Sequence, residues 1–171
     1  MGQTTVCAPR VSRGVAAAAL ARPATAGAFL VAGSGSTGLR HFRNLGGLGV
    51  GRLAFLRSGR RITLEPLPDA PQDFDLARAL RHPPLAVVVC NPTALHLEVA
   101  LSAARAGCHL FIEKPLSHSR EGVEELVHEV RSRGLVAAVG FQYRFHPGLR
   151  QAKRWLDEGA IGEVVSARVD W

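Results

Sequence analysis

The sequence predicts an α/β protein built around a doubly wound parallel sheet. From Ala28 to about residue 140, short apolar runs alternate with longer amphipathic segments. The first apolar run leads directly into a glycine-rich turn. The run at 85–90, LAVVVC, holds three consecutive valines without the polar alternation of a half-exposed strand, which indicates a strand covered on both faces. Repeated strand, helix and strand segments require parallel strands joined by right-handed crossovers.

Each apolar run is interpreted as a strand and each amphipathic segment as a helix. The predicted strands are 28–32, 52–57, 62–64, 85–90, 109–112 and 135–140. The predicted helices are 36–45, 74–81 with Asp73 as its N-cap, 93–106, a helix from about 120 capped by Ser119 with Val127 facing inward, and 147–158. Pro147 suits the first position of the last helix and Gly159 suits its end.

Three regions follow from the change of pattern along the chain. Residues 1–27 carry three arginines and no acid, and we expect a disordered, alanine-rich basic tail, with a targeting peptide as the alternative. Residues 28–145 form the predicted dinucleotide-binding domain. Residues 146–171 are predicted to contain a linker helix and one strand, the truncated start of an α+β C-terminal domain. The strand is predicted because apolar and polar residues alternate from Val165 to Trp171.

Composition excludes several classes of function. The formal charge of +7 is scattered, without a basic run or interleaved aromatic residues, so no nucleic-acid partner is expected. Cys7, Cys90 and Cys108 have no metal-ligand spacing, so no metal site is expected, and they fit reduced thiols of a cytoplasmic protein. No apolar run reaches the ~18 residues of a membrane span, so no membrane partner is expected.

The glycine-rich turn has the spacing of a phosphate-binding loop. Gly33, Gly35 and Gly38 form the GxGxxG pattern in GSGSTG, with Ser34, Ser36 and Thr37 between them. A tight turn, close approach of a pyrophosphate and close packing of helix on strand require these three glycines in turn. The loop therefore predicts a Rossmann-like dinucleotide site at the start of a helix, and a plain strand-to-helix turn is the alternative.

The end of the second strand predicts the choice of cofactor. An acid at this position accepts the adenosine ribose hydroxyls in NAD-binding proteins. Here the chain has Arg57 and Ser58, followed by Arg60 and Arg61. A guanidinium beside a hydroxyl suits a 2′-phosphate, so NADP is favoured over NAD. The alternative is a set of surface arginines beside a site that accepts either cofactor.

Polar residues also follow the two later strands, whose carboxyl ends should face one crevice. Asn91 and Thr93 offer hydrogen bonds near the nicotinamide half of the cofactor, and Pro92 stiffens their turn. His96 lies in the first turn of the next helix and either reaches the ligand or is an ordinary helix-face histidine.

The segment HLFIEKP ends the next strand on a carboxylate and an ammonium. Pro115 favours an extended backbone at Lys114 and can itself be cis, which fixes where the ammonium points. From there Lys114 can polarise a substrate oxygen and exchange its proton during hydride transfer, with Glu113 orienting it. A solvated loop lysine is the alternative.

Four motifs in order, GSGSTGLRH, CNPTALH, EKP and GFQYRFHP, resemble the N-terminal half of the Gfo/Idh/MocA oxidoreductases. The resemblance implies NAD(P)-dependent oxidation or reduction of a sugar, cyclitol or related polyol, with Lys114 as the catalytic lysine. It also implies that Arg144 contacts ligands from the hinge side of the active site.

Members of that family continue with an antiparallel sheet domain that supplies most of the substrate pocket. Two classes of function therefore stay open for this sequence. The first is an oxidoreductase present as its cofactor-binding half, either as a fragment of a longer enzyme or as a chain completed by a homo-oligomer or another chain. The second is a nucleotide-binding module without catalysis.

Overall fold

Six parallel strands form one sheet in the computed structural model, which describes residues 27–59 and 66–168. In chain order they are β1 Phe29–Ala32, β2 Leu53–Leu56, β3 Gln72–Asp73, β4 Ala86–Val89, β5 His109–Ile112 and β6 Ala137–Val139. Their spatial order is β3-β2-β1-β4-β5-β6. The first three strands extend the sheet to one side of β1, and the last three extend it to the other side, starting with β4. This arrangement confirms the predicted Rossmann-like fold and places the ligand crevice beside β1 and β4.

Helices cover both faces of the sheet. They are α1 Ser36–Gly47, α2 Leu76–Ala79, α3 His96–Arg105, α4 Val123–Ser132 and α5 Pro147–Asp157. The alternate residues of each strand point to opposite faces, so β1 contributes Leu30 to one core and Val31 to the other. α3 and α4 pack on the first face, and α1 packs on the second through Leu39. Phe42 of α1 also stacks on Phe55 of β2 with ring centroids 4.5 Å apart.

The third strand differs from the prediction. The segment 62–64 lies outside the described residues, and β3 instead forms at Gln72–Asp73, pairing with the end of β2. Asp73 is therefore strand, and the predicted cap is wrong: Asp75 caps α2, its Oδ1 accepting the Arg78 amide at 2.7 Å. The Asp73 carboxylate accepts the Phe74 and Asp75 amides and binds the Arg78 side chain.

The start of α4 also differs from the prediction. The helix begins at Val123 after Gly122, whose φ of +75° is left-handed, so Ser119 is not its cap. A Cβ on Gly122 would lie 2.9 Å from Cδ2 of Leu97, which adds a packing reason for glycine. Val127, predicted to face inward, is 40% exposed because Leu126 occupies the buried position against α3.

The last described segment confirms one prediction and corrects another. α5 begins at Pro147, and Gly159 follows its end with φ +70°. Residues 163–168 form no strand, and Val165 is 97% exposed. A single strand needs a neighbour to accept its hydrogen bonds, and none lies beside this segment in the described residues. Val169 to Trp171, the tail at 1–26 and Arg60 with Arg61 lie outside the described residues.

The length and polarity of the helices decide whether one of them could span a membrane. Among the residues that the structure describes, no helix is both long enough and apolar enough to cross a bilayer.

Candidate cofactor and catalytic site

The turn between β1 and α1 leaves open space at one of its three glycines. Gly33 has φ +118°, and a Cβ there would lie 2.7 Å from the Cys90 carbonyl oxygen. A Cβ on Gly38 would lie only 1.9 Å from the Gly33 carbonyl oxygen, so the turn packs tightly against the helix. A Cβ on Gly35 would meet nothing within 4 Å. The only unfilled position in this loop is thus the one where a pyrophosphate needs room.

The same turn exposes the amides at the start of α1. Gly35 is the N-cap residue and provides no side-chain cap, so the first helical amides are not covered by this residue. Ser36 is exposed and Thr37 half-buried in this first turn, whereas Ser34 is buried. Free amides and the positive end of the helix dipole suit phosphate oxygens. The loop therefore fits a dinucleotide.

At the end of β2, Arg57 is held by three neighbours. Its Nε donates to Oγ of Ser34 at 3.3 Å, and its Nη1 donates to Oε1 of Gln72 at 2.6 Å. The guanidinium carbon lies 5.6 Å from the centre of the Phe74 ring. A guanidinium has five N–H donors, so three remain for a ligand. Ser58 is exposed next to it.

Two clefts flank the glycine turn. The first, about 950 Å³, is lined by Gly35, Arg57, Ser58, Phe74 and Pro92, among others. The second, about 990 Å³, has other lining residues, with Thr37, His41, Thr93, Lys114 and Arg144 among them.

Cys90 and Asn91 line both clefts. Asn91 Oδ1 is buried and has no hydrogen-bond partner within the described residues. An extended two-part ligand matches this pair of adjoining clefts.

His96 is buried between two loops of the site and contacts both of them. It is 2% exposed, its Nδ1 lies 2.9 Å from the Pro115 carbonyl oxygen, and its Nε2 lies 2.8 Å from the Asn91 carbonyl oxygen. The ring therefore joins the loop after β4 to the loop after β5. Direct contact between His96 and a ligand stays a prediction, because both ring nitrogens already face protein carbonyls.

The loop after β5 presents Lys114, the predicted catalytic residue, next to Glu113. The Lys114–Pro115 peptide bond is cis, as the sequence allows for Pro115. Lys114 is exposed to the second cleft, and its ammonium has no ion-pair partner among the described residues. Glu113 does not bind the ammonium; its Oε1 lies 2.7 Å from Nε2 of His41.

His41 and Gln72 are site residues that the sequence analysis did not identify. His41 follows Gly38 by three positions, close to one helical turn, and this spacing was the only available signal. Gln72 offered no signal, because its position opposite Arg57 depends on the pairing of β3 with β2.

Charge in the second cleft is mostly positive. Arg40, Lys114 and Arg144 line it together with a single carboxylate, Glu113. Burial, reinforced by Glu113, raises the pKa of the Cys90 thiol to about 12, so this cysteine is a neutral wall residue. Within 27–59 and 66–168 no group of three or more His, Cys, Asp and Glu side chains is placed to hold a metal ion.

Comparison with known proteins agrees with this geometry. Residues 57–141 match the family model GFO_IDH_MocA, described as an oxidoreductase family with an NAD-binding Rossmann fold. The chain is 39% identical over 82 residues to levoglucosan dehydrogenase of Pseudarthrobacter phenanthrenivorans, covering 48% of this chain and 21% of that protein. It is 38% identical over 80 residues to scyllo-inositol 2-dehydrogenase (NAD(+)) of Bacillus subtilis, covering 47% and 23%.

A solved structure extends the similarity to most of the chain. Scyllo-inositol dehydrogenase from Lactobacillus casei, with bound NAD(H) and scyllo-inositol, superposes with a TM-score of 0.65 at 26% identity. The match covers 79% of this chain and 42% of that one, so the chain spans less than half of this relative's length. The chain belongs to the Gfo/Idh/MocA oxidoreductase family, and the part described here contains the NAD-binding Rossmann domain of that family.

Proposed function

We propose that this chain is the cofactor-binding half of an NAD(P)-dependent oxidoreductase that transfers a hydride to or from a sugar, cyclitol or related polyol. The observation that carries the proposal is the pair of adjoining clefts. One holds the open phosphate loop at Gly35, the other holds the unpaired ammonium of Lys114, and Asn91 lines both. Relatives whose names specify levoglucosan and scyllo-inositol support this substrate class.

The proposed cofactor contacts follow the sheet edge. The phosphates are assigned to the glycine loop and first turn of α1, and the nicotinamide half to the loops after β4 and β5. The residues are Gly33, Ser34, Gly35, Ser36, Thr37, Gly38, Arg57, Ser58, Asn91, Pro92, Thr93, His96, Glu113, Lys114 and Arg144. Within this set, His96 acts by holding the loops at Asn91 and Pro115.

NADP is the proposed cofactor, and NAD is the alternative. Arg57 stands where NAD-binding proteins place an acid, and three of its N–H donors are free of the protein bonds described above. These donors suit the oxygens of a 2′-phosphate. The relative named for NAD(+) makes cofactor choice a point to measure.

Lys114 is the proposed catalytic residue. A nicotinamide, when bound, accepts or donates the hydride. Nζ of Lys114 donates a hydrogen bond to the substrate oxygen, which favours the developing charge, and the same nitrogen takes up or releases the proton. Because Glu113 is bound to His41, no neighbouring carboxylate occupies the ammonium in the described residues.

Two measurements test the proposal. Fluorescence titration should show binding of NADPH, with an affinity that exceeds the affinity for NADH and loses this excess in Arg57→Ala. In the longest natural form of the protein, Lys114→Ala should abolish polyol-dependent reduction of the cofactor, while Lys153→Ala leaves it unchanged. Lys153 is the matched control because it is the only other lysine in this 171-residue sequence and pairs with Asp157 on α5. Failure to bind either dinucleotide would contradict the proposed function.

A further inference from the structure

We infer that His41 is a positioning residue for Lys114. It fixes the Glu113 carboxylate beside the lysine, and it thereby connects the phosphate-binding helix to the catalytic loop. The inference rests on the proposed role of Lys114. Neither the glycine loop nor the EKP motif by itself requires a contact between His41 and Glu113.

The contact between His41 and Glu113 is short and well sheltered. The two side chains are 19% and 15% exposed, and Nε2 of His41 lies 2.7 Å from Oε1 of Glu113. The imidazole also packs edge-on against Phe111, with ring centroids 5.2 Å apart. A polar contact between partly buried groups is stronger than the same contact in water, because fewer water molecules compete for it.

The remaining contacts of Glu113 leave its carboxylate little freedom. Its Oε2 accepts the backbone N–H of Lys114 at 3.2 Å, and its own N–H donates to the Val89 carbonyl oxygen at 2.8 Å. Gly140 lies against it, since a Cβ there would be 3.4 Å from Cδ of Glu113. Both carboxylate oxygens are therefore engaged, one by His41 and one by the lysine backbone.

This arrangement separates two opposite charges that are adjacent in sequence. Without His41, the Glu113 side chain regains rotamer freedom and can turn toward the Lys114 ammonium or toward solvent. Either movement changes the surroundings of Nζ. With His41 present, the ammonium has no ion-pair partner within residues 27–59 and 66–168, and it lines the cleft, where a substrate oxygen can bind it.

His41 also lies on the helix whose first turn is assigned to the phosphates. α1 begins at Ser36, so His41 lies little more than one helical turn from that end. Its bond to Glu113 spans 72 residues of sequence and crosses the carboxyl edge of the sheet. The contact between His41 and Glu113 thus fixes the lysine loop after β5 relative to the helix whose first turn would bind the cofactor.

The scarcity of lysine makes the inference testable by NMR. Lys114 and Lys153 are the only lysines in the chain, so reductive methylation with ¹³C-formaldehyde labels two side chains and the amino terminus. Lys153→Arg assigns the signals. His41→Phe keeps a ring against Phe111 and removes the donor to Glu113, whereas His41→Gln keeps a side-chain donor.

We expect the Lys114 methyl signal to move in His41→Phe and to return toward its original position in His41→Gln. The Lys153 signal should stay unchanged in both variants, because Lys153 pairs with Asp157 on α5. In the longest natural form, kcat should fall about tenfold in His41→Phe, with KM unchanged, and recover in His41→Gln.

An unmoved Lys114 signal in His41→Phe would overturn the inference, and so would an equal change in both variants. If His41→Phe does not fold, His41→Leu provides the same test, because it also removes the donor to Glu113 and must also move the Lys114 signal. The signal does not depend on turnover. Retained activity in Lys114→Ala would therefore refute the proposed catalysis without affecting this coupling.

Discussion

Arg57 and Gln72 meet across the end of neighbouring strands, with Nη1 of Arg57 donating to Oε1 of Gln72 at 2.6 Å. The contact exists because β3 pairs in parallel with β2, which sets Gln72 opposite Phe55, two residues before Arg57. It restricts the guanidinium on one side, as Ser34 does on another. An arginine held in this way loses less side-chain entropy when it binds a ligand.

Gln72→Leu should therefore weaken NADPH binding without weakening NADH binding. Loss of one ordinary hydrogen bond to Arg57 should lower the binding free energy by about 0.7 to 1.4 kcal/mol. This corresponds to a roughly three- to tenfold increase in the NADPH dissociation constant. Gln151→Leu is the matched control, because it removes a glutamine that contacts Arg154 on α5 instead. Fluorescence titration with both cofactors measures the effect. Equal losses for NADPH and NADH would show that Gln72 acts on the fold rather than on the phosphate contact.

Gly35→Ala should keep the fold and lose the cofactor. Its φ of −74° is ordinary for alanine and its Cβ meets no atom within 4 Å, so the free energy of unfolding should fall only by about 1 kcal/mol or less, the cost of alanine at an N-cap. The new methyl fills the space assigned to the pyrophosphate, and NADPH affinity should fall about tenfold or more. Urea unfolding and titration separate the two effects.

Gly38→Ala is the contrasting variant for the same loop. Its Cβ would lie 1.9 Å from a backbone oxygen of Gly33, a clash that side-chain movement cannot relieve. The free energy of unfolding should drop by about 3 kcal/mol or more. If both alanine variants lose stability equally, the open space at Gly35 is not what distinguishes the two positions.

These positions show what a sequence can and cannot predict for this fold. The sheet and the glycine loop follow from local signals: the valine run at Ala86–Val89 and the spacing of Gly33, Gly35 and Gly38. The cap of α2 was misplaced because Asp73 and Asp75 both suit a cap, and only the pairing of β3 with β2 selects between them. Contacts between residues far apart in sequence have no local signal.

His41 and the final segment illustrate the same limit. The bond from His41 to Glu113 depends on how α1 packs beside β5, and the spacing of the motifs does not specify this. The alternating residues from Val165 onward have the period of a strand but find no partner in the described residues. Periodicity specifies which face would be buried, and formation of the strand requires a neighbour.

His96→Leu should destabilise the protein by about 2 to 4 kcal/mol, because it leaves the carbonyl oxygens of Asn91 and Pro115 without the buried ring that faces them. The two loops should also become more mobile, so NADPH should bind more weakly at urea concentrations where the variant is still folded. His82→Leu, at an exposed loop position, is the control. Urea denaturation measures both variants, and a difference below about 0.5 kcal/mol between them would contradict a supporting role for His96.

Alkaline pH should destabilise the fold through two thiols, that of the half-buried Cys90 and that of the buried Cys108. Burial, with the charge of Glu113 adding to it, raises the pKa of Cys90 from 9.0 to about 12, and burial raises the pKa of Cys108 from 9.0 to about 11. Below pH 9 both thiols are protonated in the folded and the unfolded chain, and their contribution is fully present. Above pH 9 the unfolded chain releases these protons and the folded chain retains them, so the free energy of unfolding falls as pH rises.

The size of this fall identifies its source. Cys90 alone should account for at most about 1.4 kcal/mol per pH unit between pH 9 and pH 11. Because other groups also titrate in this range, the measurement is the difference in pH slope between the wild type and Cys90→Ala in urea unfolding. The variant should show the shallower slope, and mass spectrometry should find Cys90 and Cys108 unmodified by iodoacetamide at pH 8 until urea unfolds the chain. Identical slopes, or rapid alkylation of native Cys90, would mean that the thiol is not sheltered between the two clefts.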